Sequence, residues 1–122
     1  MPIIDVSPVV SASNRLRADA AQILADSLAR VFKAEDGQVW VRITKIHESG
    51  YAENGACVAK NELPVFVQVL HADWPDQESR STEARAIAAA VAFSLSRQVE
   101  LVHVIYAPSG RGRVALGGKL VE

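Results

Sequence analysis

The sequence predicts an α+β fold in which two β-α-β units form a four-stranded mixed sheet with two helices on one face. Residues 1–62 and 63–122 each read as strand, amphipathic helix and strand. Pro2 matches Pro64 at an offset of 62 residues, and the second strands of the two halves match at an offset of 63. A right-handed crossover makes the two strands of each unit parallel. We therefore expect a single domain over residues 1–122, composed of two pseudo-repeats.

In the first unit, residues 2–6 form a short β-branched strand. Residues 14–33 are predicted to form an amphipathic helix that Asn14 caps at its N-terminus. Asp36-Gly37 ends the helix, and residues 39–46 form a strong strand. The apolar residues of the predicted helix recur at helical spacing: Leu16, Ala20, Ile23, Leu24, Leu28 and Val31.

In the second unit, residues 63–70 form a strand, and a helix capped by Ser79 or Ser81 runs to about Arg97. Its many alanines predict close packing against the sheet. Residues 99–106 form the closing strand, and residues 114–120 a short terminal hairpin.

The sheet face away from the helices is expected to be too apolar to remain in water. Closed association of several copies through that face would cover it. The alternative is an ordinary α+β sandwich that remains a monomer.

Composition narrows the classes of function. The formal net charge is -1 with both signs interspersed, so no basic block exists to bind nucleic acid. No segment has the apolar length of a membrane helix. Cys57 is the single cysteine and cannot form an internal disulfide, which suits a reducing compartment. We therefore expect a small cytoplasmic protein without nucleic-acid or membrane partners.

The start of the chain and the arm that closes each unit together resemble the tautomerase superfamily. The chain begins with residues 1–4, Met-Pro-Ile-Ile. Residues 51–55 are similar to the glutamate-containing arm of chloroacrylic acid dehalogenases, and residues 114–118 to the glycine-rich close of 4-oxalocrotonate tautomerase. Residues 110–113 resemble a stretch of malonate semialdehyde decarboxylases. The resemblance implies a homotrimer with active sites between chains, a small carboxylate substrate and no cofactor.

Pro2 is the predicted catalytic residue, conditional on removal of Met1. A proline nitrogen is basic only when it is the first atom of the chain. Such an amine titrates near pH 8 in model peptides, and an apolar site lowers its pKa by disfavouring the cation. A group near neutrality serves as a general acid or base.

The resemblance implies arginines near the helix starts, because a guanidinium grips a carboxylate through two hydrogen bonds. Arg80 is the preferred candidate. Arg42 matches a tyrosine of the cis-type dehalogenase, and His103 is the second-half counterpart of Trp40, which stands where 4-oxalocrotonate tautomerase has an arginine. The full set of predicted substrate-binding residues is Arg15, Arg17, Arg42, Tyr51, Arg80, His103, Arg111 and Arg113.

Glu53 is the second predicted catalytic residue, since the matching glutamate of the dehalogenases activates a water. It lies in the same half as Pro2, whereas the fused cis-type enzyme has it in the other half. Glu53 is therefore also a candidate for the pseudo-site beside Pro64. The equivalent second-half residue is the apolar Leu116.

The predicted function is that of a cofactor-independent tautomerase or isomerase acting on a small enol or 2-oxo carboxylic acid. The alternatives are a hydratase, dehalogenase or decarboxylase of the same superfamily, and a non-catalytic member that serves as a binding or assembly subunit. No metal site is expected, because the three histidines and the cysteine share no ligand spacing.

Overall fold

Seven strands and two α-helices make up the structure, a computed structural model that describes residues 1–122. The strands are β1 (Ile3–Val10), β2 (Trp40–Ile43), β3 (Ile46–His47), β4 (Val65–Leu70), β5 (Val102–Tyr106), β6 (Ala115–Leu116) and β7 (Lys119–Leu120). The helices are α1 (Ala20–Phe32) and α2 (Gln77–Leu95).

The sheet has the strand order β2-β1-β4-β5. β1 pairs in parallel with β2, and β4 in parallel with β5, whereas β1 and β4 are antiparallel, with Val6 opposite Val67. This arrangement confirms the predicted α+β fold with its two β-α-β units and mixed sheet. It adds a short fifth strand, β3, which pairs with the end of β1.

The prediction of one continuous strand over residues 39–46 was wrong, because the segment forms two strands, β2 and β3. Both pieces keep one register against β1, in which Val6 lies opposite Ile43 and Val9 opposite Ile46. The Val9 amide donates to Pro64 on the β4 side, so the nitrogen of Pro8 faces β2 and β3. A proline has no N–H to donate, and the ladder is therefore interrupted there.

The hydrophobic core lies between the sheet and the two helices. Alternate residues of β1 and β4, including Ile4, Val6 and Val67, are fully buried and face Leu24 of α1 and Ile87 of α2. The period of two along the strands and the helical spacing in α1 thus place both helices on one face, as predicted.

Both helices begin at other residues than predicted. Asn14 is wrong as a cap: its amide donates to the Ser11 carbonyl at 3.1 Å in a tight turn, and α1 starts only after Asp19. α2 starts earlier than predicted, because the Asp76 side chain accepts the Ser79 amide at 2.8 Å. The first amides of a helix have no acceptor within the helix. An aspartate at the N-cap, three residues before the Ser79 amide, can accept a hydrogen bond from it, whereas a serine inside the first turn cannot cap the helix in this way.

The remaining boundaries differ by a few residues. β1 continues beyond the predicted end at Val6, because Ser7 and Pro8 also pair with β4. β5 starts at Val102, after a 3₁₀ turn over Val99–Leu101. The predicted terminal hairpin is present as β6 and β7, where Gly117 and Gly118 both adopt positive φ, as a tight two-residue turn requires.

The sheet face away from the helices is mixed rather than uniformly apolar. Trp40 and Ile105 are about half exposed on it, at 49% and 54%. Asp5 and Arg42 form an ion pair on the same face. Neither helix is both long enough and apolar enough to span a bilayer.

Candidate active site

The antiparallel pairing of β1 and β4 gives the sheet two unlike ends. Pro2 precedes β1, and the register that pairs Ile3 with Leu70 places it across from His71. Pro64 precedes β4 at the opposite end. We call these two regions the Pro2 end and the Pro64 end.

Pro2 is buried, and its carbonyl accepts the Trp40 amide at 3.2 Å. The Met1 side chain reaches Gly110: a methyl group placed on Gly110 would lie 2.7 Å from the Met1 Cε atom and 3.2 Å from the His71 carbonyl oxygen. Met1 is bonded to the Pro2 nitrogen. The space it fills would therefore adjoin the free amine once Met1 is removed.

A hydrogen-bonded network of three titratable side chains lies at the Pro2 end. Glu83 of α2 accepts from two donors at the same oxygen: His71 Nε2 is 2.9 Å from Oε2, and the Tyr106 hydroxyl is 2.6 Å from it. The His71 and Glu83 side chains are only 13% and 17% exposed. Burial raises the pKa of the Tyr106 hydroxyl well above its usual value, and the bond to Glu83 raises it further. Tyr106 is thus a neutral donor throughout the physiological range.

Aromatic contacts fix the orientation of this network. The His71 ring stacks on Tyr106 with centroids 6.1 Å apart and meets the Phe32 ring edge-on at 5.6 Å. Phe32 ends α1, so both helices contribute to the Pro2 end.

Arg80 lies beside the network in the first turns of α2. Its guanidinium carbon lies 4.8 Å from the centroid of the Trp74 ring and 6.0 Å from that of Tyr106. One guanidinium nitrogen donates to the Pro75 carbonyl at 3.1 Å. The Trp74 indole donates to the Ala107 carbonyl at 2.8 Å, which holds the indole under the arginine. The structure therefore brings Arg80 to the Pro2 end with part of its hydrogen-bonding capacity unused.

Arg111 also lies at the Pro2 end, but it is already paired. Its Nε is 2.9 Å from the Asp73 carboxylate, which raises the pKa of Arg111 and lowers that of Asp73. It also donates to the carbonyl of Glu122, which ties the C-terminus to this loop. Arg113 is exposed on the same loop.

Tyr51 and Glu53 lie at the Pro64 end. They line a cavity of about 430 Å³ together with Lys60 and Leu63. The Tyr51 hydroxyl donates to Glu53 at 2.5 Å, and this bond raises the pKa of the phenol. Within one chain, Glu53 thus lies at the Pro64 end and not at the Pro2 end.

Arg97 closes the Pro64 end from the helix side. One guanidinium nitrogen donates to the Leu63 carbonyl at 2.8 Å, and the other donates to the Val9 carbonyl at 2.8 Å. Burial lowers the pKa of Arg97, although a guanidinium stays charged. Its Nε is buried without a partner. Arg97 therefore joins the end of β1 to the start of β4.

The other predicted substrate-binding residues do not gather around Pro2. Arg15 and Arg17 are exposed ahead of α1, and Arg17 pairs with Asp19 at 3.0 Å. Arg42 binds both carboxylate oxygens of Asp5, at 2.6 and 2.8 Å, and this raises the pKa of Arg42. His103 is exposed on the open sheet face, 5.7 Å from the Phe66 ring.

Sequence reasoning did not predict His71, Glu83 and Tyr106 as a group. The available signal was positional: His71 directly follows β4, Tyr106 ends β5, and these strands are parallel neighbours. Their carboxyl ends must therefore meet. No three His, Cys, Asp or Glu side chains come together in a metal-binding arrangement.

The sequence matches no protein-family model and no curated protein. Solved structures match the whole fold. The macrophage migration inhibitory factor of Oncomelania hupensis superposes with a TM-score of 0.74 at 16% identity, covering 100% of this chain and 83% of that chain. A wild-type fused 4-OT protein, solved as a symmetric trimer, gives 0.74 at 15% identity, covering 98% and 94% of the two chains.

A third match is an FG41 malonate semialdehyde decarboxylase inhibited by 3-bromopropiolate, with a TM-score of 0.68 at 15% identity over 94% of this chain and 88% of that chain. Decarboxylase, 4-OT and inhibitory-factor structures of this kind make up the tautomerase superfamily. The chain has the tautomerase-superfamily fold. The resemblance inferred from the sequence is thereby confirmed at the level of the fold.

Proposed function

We propose that the protein is a cofactor-independent tautomerase that acts on a small enol or 2-oxo carboxylic acid, with the Pro2 amine as general acid and base. The observation that carries the proposal is the position of Pro2. It is buried at the start of an inner strand, and the Met1 side chain attached to it extends toward Gly110 and the His71 carbonyl. Removal of Met1 would create both a secondary amine and the space for a substrate beside it.

The surroundings suit proton transfer near neutrality. Burial disfavours the ammonium form and lowers the pKa of an N-terminal amine from its usual value near 8. The proline ring fixes φ, so the base is held in place at little entropic cost. An amine with a pKa near the working pH can remove a proton from one atom of an enol and return it to another.

Arg80 is the proposed ligand of the substrate carboxylate. Trp74 and the Pro75 carbonyl orient its guanidinium. Two parallel hydrogen bonds to a carboxylate hold the substrate and stabilise the enolate as it forms. Arg111 is less suited to this role, because Asp73 already occupies its planar edge.

Hydration is the second candidate reaction, and it rests on Glu53. The Tyr51 bond leaves one carboxylate oxygen of Glu53 without a hydrogen bond inside the chain, and Glu53 lines the cavity at the Pro64 end. Glu53 can serve a Pro2 site only if copies of the chain meet so that the Pro64 end of one adjoins the Pro2 end of another. The test is whether Glu53→Gln abolishes hydration of 2-oxo-3-pentynoate while sparing ketonisation. An unchanged hydration rate would leave Glu53 without a catalytic role.

We also propose that the protein assembles as a homotrimer through the open sheet face. Trp40 and Ile105 expose apolar surface there that association would remove from water. The fused 4-OT structures with this fold are trimers. A stable monomer in analytical ultracentrifugation would rule this assembly out.

Intact mass and a ketonisation assay test the catalytic proposal. Mass spectrometry first establishes whether Met1 is absent. A retained Met1 acylates the Pro2 nitrogen and would favour a binding or assembly role for the protein. Phenylenolpyruvate ketonisation is then compared between the wild type and Pro2→Ala. We expect a loss of 10²-fold or more, of the order that general acid–base groups contribute. Equal rates would remove Pro2 from the mechanism.

A further inference from the structure

The network at the Pro2 end contains an arrangement that the proposed proline mechanism does not use. His71 Nε2 faces the Glu83 carboxylate at 2.9 Å. A carboxylate only accepts hydrogen bonds, so this contact fixes the ring proton on Nε2 and leaves the lone pair on Nδ1. Nδ1 has no hydrogen-bond partner in the chain, and it is not sealed from solvent.

We propose that His71, oriented by Glu83, is a second acid–base group of the Pro2 site. The inference rests on the proposed function of Pro2 and assigns the other half of the proton transfer. A carboxylate that orients an imidazole, whose second nitrogen is available, is a recurrent solution to general acid–base catalysis.

The position of His71 supports the assignment. His71 is the next residue after Leu70, which pairs with Ile3, so it lies across from Pro2. Directly opposed residues of antiparallel strands have Cβ atoms about 5 Å apart. The His71 carbonyl also borders the space that the Met1 side chain fills.

The ring is held rigidly, as a proton-transfer group requires. Tyr106 stacks on one side and Phe32 meets it edge-on, while the Tyr106 hydroxyl donates to the same Glu83 oxygen that His71 contacts. The second oxygen of Glu83 makes no hydrogen bond within the chain, and Glu83 lines a groove of about 400 Å³ between the helices. Glu83 therefore contacts the imidazole and also lines the groove.

The transfer balances without any co-reactant. The Pro2 ammonium gives a proton to C3 of the enol, forming the C–H bond. Neutral His71 accepts the proton of the C2 hydroxyl at Nδ1, and the electron pair of the broken O–H bond forms the C2 carbonyl. The imidazolium then returns its proton to the Pro2 amine, and both groups regain their starting states.

Charged and titratable groups lie near His71. Glu83 contacts it from α2 and Tyr106 from β5, whereas α1 presents the uncharged Phe32. Arg80 of α2 lies 6.0 Å from the centroid of the Tyr106 ring. Asp73 lies on the following loop in its pair with Arg111. Glu83 is the charged group in direct contact with the imidazole.

The test is the pH–rate profile of phenylenolpyruvate ketonisation by proteins that lack Met1. In His71→Gln we expect kcat to fall about 10²-fold with little change in KM and with one limb of the profile lost. In Glu83→Gln, whose amide oxygen can still accept from Nε2, we expect a smaller loss of kcat than in His71→Gln. The matched controls are His47→Gln, an exposed histidine at the Pro64 end, and Glu78→Gln, a glutamate on the same groove.

The outcomes separate the two proposals. A Pro2→Ala protein with wild-type activity refutes the proposed function and this inference with it. An inactive Pro2→Ala together with a His71→Gln protein that keeps both limbs refutes the inference alone. A merely structural His71 would lower stability and leave the limbs where they are.

An NMR titration of the Pro2 nitrogen decides the inference even if this enol is not a substrate. We expect His71→Gln to move this titration, as for interacting groups, and His47→Gln to leave it unchanged. A Pro2 titration that is identical in the wild type and in His71→Gln would overturn the assignment.

Discussion

Replacement of Arg97 should destabilise the protein, because its guanidinium joins three segments of the chain. Arg97 lies two residues after the end of α2. Its guanidinium donates to the carbonyls of Leu63 and Val9, each at 2.8 Å. A third, longer contact reaches Pro64 at 3.5 Å. Arg97→Ala would leave the end of β1 and the segment ahead of β4 without these donors.

The magnitude follows from the two short bonds. Hydrogen bonds to a charged group contribute about 1.5–3 kcal/mol each. Water reaches part of this half-buried side chain, so we take the low end, a loss of about 3 kcal/mol for Arg97→Ala. A domain of this size loses roughly 4 °C of melting temperature per kcal/mol, which gives a decrease of about 12 °C. Arg97→Lys retains one donor group and should lose about half as much.

Urea unfolding followed by circular dichroism measures the change. All variants must be compared at one protein concentration, because association adds to apparent stability. Arg85→Ala is the matched control, an exposed arginine on α2 without a hydrogen bond, and should stay within about 0.5 kcal/mol of the wild type. An Arg97→Ala protein as stable as Arg85→Ala would refute the view that Arg97 closes the Pro64 end.

Three further outcomes test the Pro2 end. Trp74→Leu removes the ring under Arg80 and should lower kcat/KM about 3-fold in the ketonisation assay, the scale of an exposed cation–π contact; an unchanged value would show that the ring does not orient the arginine. Gly110→Ala places a methyl group 3.2 Å from the His71 carbonyl oxygen and should raise KM, measured with the same enol, because it narrows the space beside the amine. Asp76→Asn keeps the helix cap but removes its titration. The Ser79 amide lowers the pKa of Asp76 from its ordinary value of 3.8, so the wild type loses the stability that the charged cap contributes as the pH falls below about 4. The free energy of unfolding of the variant should therefore fall less steeply with pH in this acid range. Identical pH dependence of the two proteins would contradict the cap.

The repeat and the strand pattern predicted the fold well, because register and layer order follow from apolar alternation. Helix starts were predicted less well. Asn14 and Asp76 are both good capping residues, and only the tertiary structure shows that Asn14 closes a turn with Ser11 while Asp76 receives the first amides of α2. Local sequence does not distinguish these two uses of a short polar side chain.

The site was predicted in part for a related reason. Pro2 was predicted because its chemistry depends on its place at the start of the chain. Glu83 and His71 meet across 12 residues of sequence, and Tyr106 joins them from another strand. Each looks like an ordinary helix or strand residue by itself, and only the parallel pairing of β4 with β5 brings them together. Glu53 lies at the Pro64 end, and its catalytic role stays a prediction.

The most direct measurement of the central claim is a titration of the Pro2 nitrogen by NMR in protein labelled with ¹⁵N-proline. The chain has five prolines, and the four internal ones are amides that do not titrate. We predict one proline nitrogen that titrates near neutrality, disappears in Pro2→Ala and has the same midpoint as a limb of the pH–rate profile. A spectrum in which no proline nitrogen responds between about pH 5 and 10 would contradict the assignment of Pro2 as the catalytic amine.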